Sequence, residues 1–254
     1  MINESISEGR TYDIPCIREI NGDENTVCVV IHGFSSSKES STVRMLFENL
    51  PPLGLGVIAF DLPAHGESGV DGDYLRLANC LADLAAVEAR ARELAPEAEI
   101  VYFASSFGAY ITLIHLAGKK QGDSRAFLRS AAVSMPRIFI SGFSQEELDD
   151  LEKTGALVLD SAKFSYSRDI KLTRGFFDDL RQNDVFDIWR EEYASLSMVH
   201  GEDDLSVPLG DARAFAEKFH TPLAVIPGGD HQLSIPGAPE RVLELALEFF
   251  RERG

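Results

Sequence analysis

The sequence has few basic residues, few cysteines and no long apolar run. Its 254 residues include 24 lysines and arginines against 41 aspartates and glutamates, a formal net charge of −17 at pH 7. A surface of that sign repels phosphate backbones and anionic lipids, so we expect no nucleic-acid partner and no membrane partner. No apolar run approaches the length of a membrane span, which supports the same expectation.

The cysteines are too few and too scattered for a disulfide framework or a zinc site. They stand at Cys16, Cys28 and Cys80, and neither paired bridges nor metal-ligand spacing results. The first residues show neither a basic region nor an apolar core, so no signal peptide is evident. We therefore expect a cytoplasmic protein that needs no metal and no cofactor. The oligomeric state is not encoded in these patterns, and a homodimer stays open.

Strand-like and helical stretches alternate along the chain. Weak alternation up to residue 25 predicts a hairpin at a sheet edge. Continuous apolar runs at 26–31 and 56–60 are typical of strands buried on both faces, and residues 74–94 have helical spacing. Further strands are predicted at 99–103, 126–135, 194–200 and 223–226, and further helices at 207–219 and 239–251. This order predicts one α/β domain over residues 1–254, with a mostly parallel sheet covered by helices on both faces.

The regular alternation breaks at Pro136. Residues 136–192 are mixed in pattern and hold six phenylalanines, one tyrosine and the chain's only tryptophan. This segment follows the sixth predicted strand and is too short for an independent domain. We interpret it as a small cap inserted over one end of the sheet.

A serine stands where a predicted strand meets a predicted helix. A nucleophile at such a turn needs small residues two positions before and after it, because bulky side chains would collide with neighbouring backbone. Ser106 satisfies this with Ala104 and Gly108, whereas Ser105 would have Phe103 and Phe107. Ser106 is therefore the candidate nucleophile.

A serine nucleophile needs a base and a carboxylate that orients the base. His231 lies in a Gly-Gly-Asp loop after the last predicted strand and is the candidate base; His220 fits a structural position at a helix end. Acids crowd the loop after the preceding strand. The pattern His-Gly-x-x-Asp-x-x-Val-Pro from His200 favours Asp204, and Asp203 stays open as the alternative.

The tetrahedral intermediate of acyl transfer needs two N–H donors. The residue after the nucleophile, Phe107, supplies one by the geometry of such a turn. The loop after the first buried strand should supply the second from Phe34, because Gly33 lets the backbone approach closely. We expect His32 and His65 to be structural, buried and hydrogen-bonded.

Taken together, these motifs resemble the serine α/β-hydrolases. The segments that carry the resemblance are His32-Gly33-Phe34, Asp61 through Ser68, Ser106-Phe107-Gly108, His200 through Asp204, and Gly229-Asp230-His231. The chain looks most similar to small bacterial cinnamoyl (feruloyl) esterases and monoglyceride-lipase-like esterases. It departs from them at the turn, where Ala104-Ser105-Ser106-Phe107-Gly108 replaces the usual Gly-His-Ser-Gln-Gly. The resemblance implies the α/β-hydrolase fold and an acyl-enzyme mechanism.

We therefore expect a serine carboxylic-ester hydrolase whose partner is a small-molecule ester. Aromatic rings of the cap should face the substrate, with Phe176 and Trp189 as candidates, and favour hydroxycinnamoyl or medium-chain acyl groups. No basic cluster lies near the catalytic loops in the sequence, which favours neutral esters. A small-substrate peptidase or amidase, a thioesterase, and a non-catalytic binding protein of this fold remain alternatives.

Overall fold

A computed structural model describes residues 1–7, 9, 11–161 and 168–251 of the protein. Its central sheet has eight strands in the spatial order β1-β2-β4-β3-β5-β6-β9-β10. The strands are β1 (Ile2–Ile6), β2 (Ile14–Glu19), β3 (Thr26–Ile31), β4 (Gly56–Phe60), β5 (Glu99–Ser105), β6 (Arg125–Arg129), β9 (Ser195–Gly201) and β10 (Leu223–Ile226). A separate hairpin pairs β7 (Ala156–Leu159) with β8 (Ile170–Thr173).

Most of the sheet is parallel, as predicted. Strands β3 to β6, β9 and β10 pair in parallel, whereas β2 is antiparallel to β4 and β1 is antiparallel to β2. The first two strands are the edge hairpin expected from the sequence. Because the parallel strands all end at one edge, the loops that follow them meet there.

Helices cover both faces of the sheet. They are α1 (Ser41–Asn49), α2 (Leu77–Leu94), α3 (Phe107–Lys119), α4 (Met135–Ser141), α5 (Gln145–Thr154), α6 (Arg174–Gln182), α7 (Val185–Ile188), α8 (Leu209–Lys218) and α9 (Ala238–Arg251). Buried residues of α1 and α9 form one core with one face, and those of α2 and α3 belong to the other core. The prediction of a parallel sheet between two helical layers is confirmed.

The alternation of side chains along β5 and β6 determines what reaches the functional edge. Phe103 and Phe127 are register partners and belong to the core beneath α1 and α9. Two residues further along, Ser105 and Arg129 are partners in the same register. Side chains repeat every second residue in a strand, so Ser105 and Arg129 point to the face that α1 and α9 cover.

The chain between β6 and β9 leaves the sheet and contains α4 to α7 and the β7–β8 hairpin. It is fastened to the helical layer by a two-pronged contact, in which Arg76 Nε and Nη2 each lie 2.7 Å from a carboxylate oxygen of Asp179. Tyr110 adds a hydrogen bond from its hydroxyl to the carbonyl of Asn183, at 2.8 Å. Phe164 and Tyr166, two of the aromatic residues noted in the sequence, lie outside the described residues.

The predicted strand over 126–135 is wrong in its second half. Strand β6 ends at Arg129, Ser130 has φ +47°, and α4 begins at Met135. The intervening residues Ala131, Ala132 and Val133 are buried without pairing in the sheet. An apolar run marks burial but does not distinguish a strand from a buried turn.

The three cysteines are buried and free. Within the described residues, no helix combines the length and apolar character required to cross a membrane. The described part of the chain also contains no group of three or more histidine, cysteine, aspartate or glutamate side chains arranged to hold a metal ion.

Candidate active site

Ser106 stands on a strained turn between β5 and α3. Its backbone has φ +51° and ψ −115°, a conformation that non-glycine residues adopt at a cost of about 1–3 kcal/mol and that clusters at functional sites. The N–H of Ser106 donates to the carbonyl of Arg129 at 2.9 Å, which ties the turn to β6. Ser106 is half-buried whereas Ser105 is buried, so the turn presents the predicted serine to the cavity.

Gly108 allows α3 to begin directly against the end of β3. A β-carbon at this position would lie 2.5 Å from the carbonyl oxygens of both Ile31 and His32. No side chain fits that space, which is why a small residue is needed two positions after the serine. The close approach brings the start of α3 beside the loop that contains Gly33.

The loop after β10 carries His231 and is fastened to the end of β6. Ser130 Oγ donates to the carbonyl of His231 at 2.9 Å, and Arg129 Nη2 donates to the carbonyl of Gln232. These two contacts fix the backbone on either side of the peptide bond after His231. The same strand end thus supports both the serine turn and the histidine loop.

Asp204 contacts His231, and Asp203 does not. His231 Nδ1 lies 2.7 Å from Asp204 Oδ2, while Oδ1 accepts the N–H groups of Ser206 and Val207 at 2.9 and 2.8 Å. Burial would raise the pKa of Asp204, but hydrogen bonds from His200 and His231 outweigh it and hold that pKa well below its ordinary value. The carboxylate is therefore ionised over the whole neutral range.

The three predicted residues meet in one chain of hydrogen bonds. Ser106 Oγ lies 3.0 Å from His231 Nε2, on the opposite side of the ring from Asp204. Because Nδ1 carries the proton and donates it in a hydrogen bond to Asp204, Nε2 has a free lone pair that can accept the serine proton. The arrangement has the geometry of a nucleophile, a base and an orienting carboxylate.

Two stretches of backbone pass beside Ser106. Phe107 is the first residue of α3, and the described residues offer no acceptor for its N–H. On the other side, a β-carbon on Gly33 would lie 3.1 Å from Ser106 Cβ and 3.8 Å from Ser106 Oγ. The backbone that leads to Phe34 therefore passes directly beside the serine.

His32 and His65 are both buried, as expected for structural histidines. His32 Nδ1–H donates to the carbonyl of Gly33 at 2.7 Å, and Nε2 accepts the N–H of Leu62 at 3.1 Å. His65 Nδ1–H donates to the carbonyl of Pro63 at 2.8 Å. Burial lowers the pKa of His32 to about 4 and that of His65 to about 3, so both rings are neutral at pH 7.

A buried ion pair holds the loop after β3. Lys38 Nζ lies 3.3 Å from Asp61 Oδ2 and 2.6 Å from Glu67 Oε2. The Asp61 carboxylate also accepts the N–H of Lys38 at 2.7 Å and the N–H of Glu67 at 2.9 Å. The loop that contains Gly33 and Phe34 is thereby fastened to the loop after β4.

A cavity of about 630 Å³ opens at Ser106 and His231, and residues of two chemical kinds line it. The chain between β6 and β9 contributes apolar side chains to the lining: Met135, Ile138, Phe139, Phe143 and Leu159. The polar residues of the lining include one acid, Glu147, one base, Arg129, and hydroxyl-bearing residues: Ser36, Ser40, Ser41, Thr42 and Ser105. Such a cavity has the size and the mixture of apolar wall and few polar groups typical of small-molecule sites.

The model of the alpha/beta hydrolase family matches residues 28–245 of the sequence. The chain belongs to the alpha/beta hydrolase family. Among curated proteins, none matches the sequence. The matched region includes the loop of Gly33 and Phe34, the serine turn, and the loops of Asp204 and His231.

Several solved structures share this fold. Est1E from Butyrivibrio proteoclasticus with ferulic acid bound is 21% identical with a TM-score of 0.80, covering 98% of this chain and 100% of its own. A protein from Agrobacterium vitis S4 is 21% identical with a TM-score of 0.82, covering 98% and 97%. Alpha/beta hydrolase domain-containing protein 10 from mouse is 15% identical with a TM-score of 0.78, again covering 98% and 97%. At these identities the likeness establishes the fold.

The two cap residues singled out in the sequence lie away from the cavity wall of this hydrolase. Phe176 is buried against Phe34, Phe107 and Phe139, with ring centroids 5.3 to 6.5 Å apart. Trp189 is buried against Tyr193 and other rings outside the cavity. Both rings pack the cap onto the body, and Phe139 and Phe143 take the places at the wall.

Two site residues of the hydrolase were not singled out in the sequence. His200 Nε2 lies 3.2 Å from Asp204 Oδ2 and 2.9 Å from the carbonyl of Val207, so it helps to orient the acid. Arg129 ends an apolar strand and lines the cavity, although the sequence shows no basic cluster near the catalytic loops. A charged residue closing a buried strand was the available signal for Arg129.

Proposed function

We propose that this alpha/beta hydrolase is a serine carboxylic-ester hydrolase that works through an acyl-enzyme. The observation that carries the proposal is the continuous chain from Asp204 through His231 to Ser106, with spacings of 2.7 and 3.0 Å, ending at a strained turn that exposes the serine. A serine hydroxyl activated in this way is suited to attack a carbonyl carbon.

In the first half-reaction, Ser106 Oγ bonds to the ester carbonyl carbon while its proton passes to His231 Nε2. The imidazolium formed is stabilised by the ionised Asp204, which the structure keeps deprotonated. His231 then gives the proton to the oxygen of the leaving alcohol as the bond between carbon and that oxygen breaks. Water repeats the sequence on the acyl-enzyme and releases the acid and Ser106.

The negative charge on the carbonyl oxygen develops between two backbone donors. We assign them to the N–H of Phe107 and the N–H of Phe34, since the chain near both residues passes beside Ser106. A preorganised donor of this kind contributes about 3 kcal/mol to transition-state stabilisation. The Lys38–Asp61 pair maintains the position of the second donor by fastening its loop.

An apolar acyl group fits against the cap residues that line the cavity. Phe139 and Phe143 are placed to stack edge-on or offset against a planar acyl group, or to bury an alkyl chain. The structurally similar Est1E binds ferulic acid, an aromatic acid, which agrees with this preference. Hydroxycinnamoyl and medium-chain acyl esters are therefore the proposed substrate class.

The test is covalent labelling with a fluorophosphonate, followed by peptide mapping, in the parent protein and in Ser106→Ala and Ser105→Ala. Label on Ser106 that persists in Ser105→Ala, together with hydrolysis of 4-nitrophenyl butyrate, is the expected result. Ser106→Ala should lower kcat by about 10⁴-fold or more while the protein remains folded. Absence of label from Ser106, or full activity in Ser106→Ala, would overturn the proposal. Cleavage of amides or thioesters in preference to matched esters would instead reassign the substrate bond.

A further inference from the structure

Arg129 is a buried cation whose charge no carboxylate contacts. The residue is only 8% exposed, and none of the ion pairs that the described residues form at N···O distances up to 4.0 Å includes it. Nη2 donates to the carbonyl of Gln232, and the described residues offer no acceptor for Nε or Nη1. Those two nitrogens are nevertheless not sealed from solvent-sized space, since Arg129 lines the cavity.

The guanidinium keeps its proton at neutral pH. Burial lowers its pKa to about 10, and the charges of Asp230 and Asp204 oppose that change from a distance. Both carboxylates form their hydrogen bonds elsewhere, Asp230 with Ser234 and Asp204 with His231. A desolvated positive charge with unused donors is costly unless an anion or a polar group occupies the space beside it.

The N-terminus of α1 lines the same cavity as Arg129. Ser41 and Thr42 are its first two residues, and the described chain provides no acceptor for either backbone N–H. The positive end of a helix and its unpaired N–H groups favour a negative group. Ser105 Oγ adds a hydroxyl beside Arg129, since the two residues are register partners on one face of the sheet.

We propose that Arg129 and the N-terminus of α1 form an anion subsite, and that the ester cleaved at Ser106 carries a carboxylate or phosphate group. This inference rests on the proposed ester hydrolysis and adds the charge of its substrate. The apolar acyl or alkyl part of the substrate lies against the cap, and its anionic end lies beside Arg129 and the N-terminus of α1. Under this proposal the substrate is amphiphilic, which differs from the neutral ester expected from the sequence.

A purely structural role for Arg129 makes a different prediction. Its contact with Gln232 O supports the loop of His231, so its loss could slow every substrate equally. An anion subsite instead changes the ratio between charged and neutral substrates. The test therefore measures that ratio.

Two matched ester pairs place the anion on either side of the scissile bond. Mono-4-nitrophenyl adipate is compared with 4-nitrophenyl hexanoate, and 4-butyryloxybenzoate is compared with its methyl ester. We expect kcat/KM for the anionic member of one pair to exceed that of its neutral partner by about 10- to 100-fold, the effect of one or two charge-assisted hydrogen bonds. Arg129→Met should abolish the preference, and Arg129→Lys should retain part of it.

A second variant tests the helix end. Ser41→Pro removes one backbone N–H at the first helical position, where proline is tolerated, and Ser40 already has the extended conformation that precedes proline. It should lower the preference a few-fold without loss of helix. Inorganic phosphate and acetate should each inhibit hydrolysis of the neutral hexanoate competitively, and the inhibition should vanish in Arg129→Met. The stronger inhibitor distinguishes phosphate from carboxylate as the natural anion.

Equal kcat/KM within both pairs, or ratios unchanged in Arg129→Met and Arg129→Lys, would overturn the subsite while leaving ester hydrolysis intact. If Arg129→Met does not fold, the wild-type ratios, the inhibition by phosphate and Ser41→Pro still decide the matter. Failure of the fluorophosphonate to label Ser106 would instead count against the proposed function itself. The two failures are thus separable.

Discussion

Asp203 and Asp204 are adjacent in the chain, but their side chains have opposite surroundings. Asp204 is buried with Oδ2 at 2.7 Å from His231 Nδ1, whereas Asp203 is exposed and its backbone N–H donates to the carbonyl of Gly229. The backbone of Asp203 therefore helps to dock the histidine loop onto the acid loop, and its carboxylate faces water.

This difference predicts unequal effects of removing the two charges. Asp204→Asn should lower kcat by about 10⁴-fold, because an amide in place of the carboxylate neither fixes the Nδ1–H tautomer nor stabilises the imidazolium. Asp203→Asn is the matched control and should stay within about twofold of the parent, since exposed surface changes are usually small. Steady-state hydrolysis of 4-nitrophenyl butyrate measures both. A larger loss in Asp203→Asn would show that the acid has been assigned to the wrong residue.

The Lys38–Asp61 pair should be worth far more than the Lys38–Glu67 pair. The Lys38 side chain is 2% exposed and that of Glu67 is 71% exposed. Lys38→Met leaves the Asp61 carboxylate buried without its cation, a change that costs about 3–5 kcal/mol of unfolding free energy. Glu67→Gln should cost less than about 1 kcal/mol. Urea denaturation of both variants provides the comparison, and similar losses would mean that Asp61 is adequately satisfied by backbone N–H groups alone.

Acid should destabilise the protein through His32 and His65. Both have lowered pKa values in the folded state, about 4 and about 3, against about 6.5 when unfolded. Below pH 6.5 the two histidines bind protons in the unfolded chain but stay neutral in the native protein. The free energy of unfolding therefore keeps its full value above pH 6.5 and falls as the pH decreases towards 4 and 3. Each ring contributes a slope of about 1.4 kcal/mol per pH unit in that window.

The variant His65→Asn removes one of the two titrating rings and keeps a donor towards the carbonyl of Pro63. Between pH 6 and pH 4.5, its unfolding free energy should fall less steeply than that of the parent by about 1.4 kcal/mol per pH unit. Urea melts at three pH values measure both slopes. Parallel slopes in the two proteins would show that His65 does not remain neutral in the native state.

Selectivity for the acyl group should depend on the rings at the cavity wall. Phe139→Ala or Phe143→Ala should lower the ratio of kcat/KM for cinnamoyl over acetyl esters about fivefold, the equivalent of roughly 1 kcal/mol per ring pair. Trp189→Phe, away from the cavity, should lower the melting temperature and leave that ratio unchanged. Selectivity that follows Trp189 and ignores Phe139 and Phe143 would contradict the assigned wall.

Much of the architecture could be predicted because strands buried on both faces leave continuous apolar runs, as in β3 and β4. The serine turn was predictable because its geometry admits only small neighbours, and Gly108 shows why, with backbone oxygens 2.5 Å from where its side chain would begin. The order of loops after parallel strands indicated His231, and the sequence pattern that begins at His200 favoured Asp204 over Asp203.

Other features depend on contacts between distant parts of the chain. The apolar run Ala131 to Val133 is typical of a strand, but these residues are buried without pairing in the sheet. Which rings of the cap reach the cavity is decided by the packing of Phe176 against Phe34 and Phe107. Arg129 and the first residues of α1 line one cavity although they are about 90 residues apart in the sequence, and no local pattern records this.

The end of β6 has a consequence for how this molecule can change. The carbonyl of Arg129 accepts the N–H of Ser106, while Arg129 Nη2 and Ser130 Oγ donate to the histidine loop. The contacts to Asp204 come from its own loop, β9 and the histidine loop. The serine, histidine and aspartate are thus held by loops at the end of the sheet, while the apolar wall of the cavity is supplied by the cap between β6 and β9. Substitutions within the cap, or exchange of the whole cap, can change which substrate is preferred while the reacting side chains stay in place. The reaction and the substrate preference can therefore evolve separately.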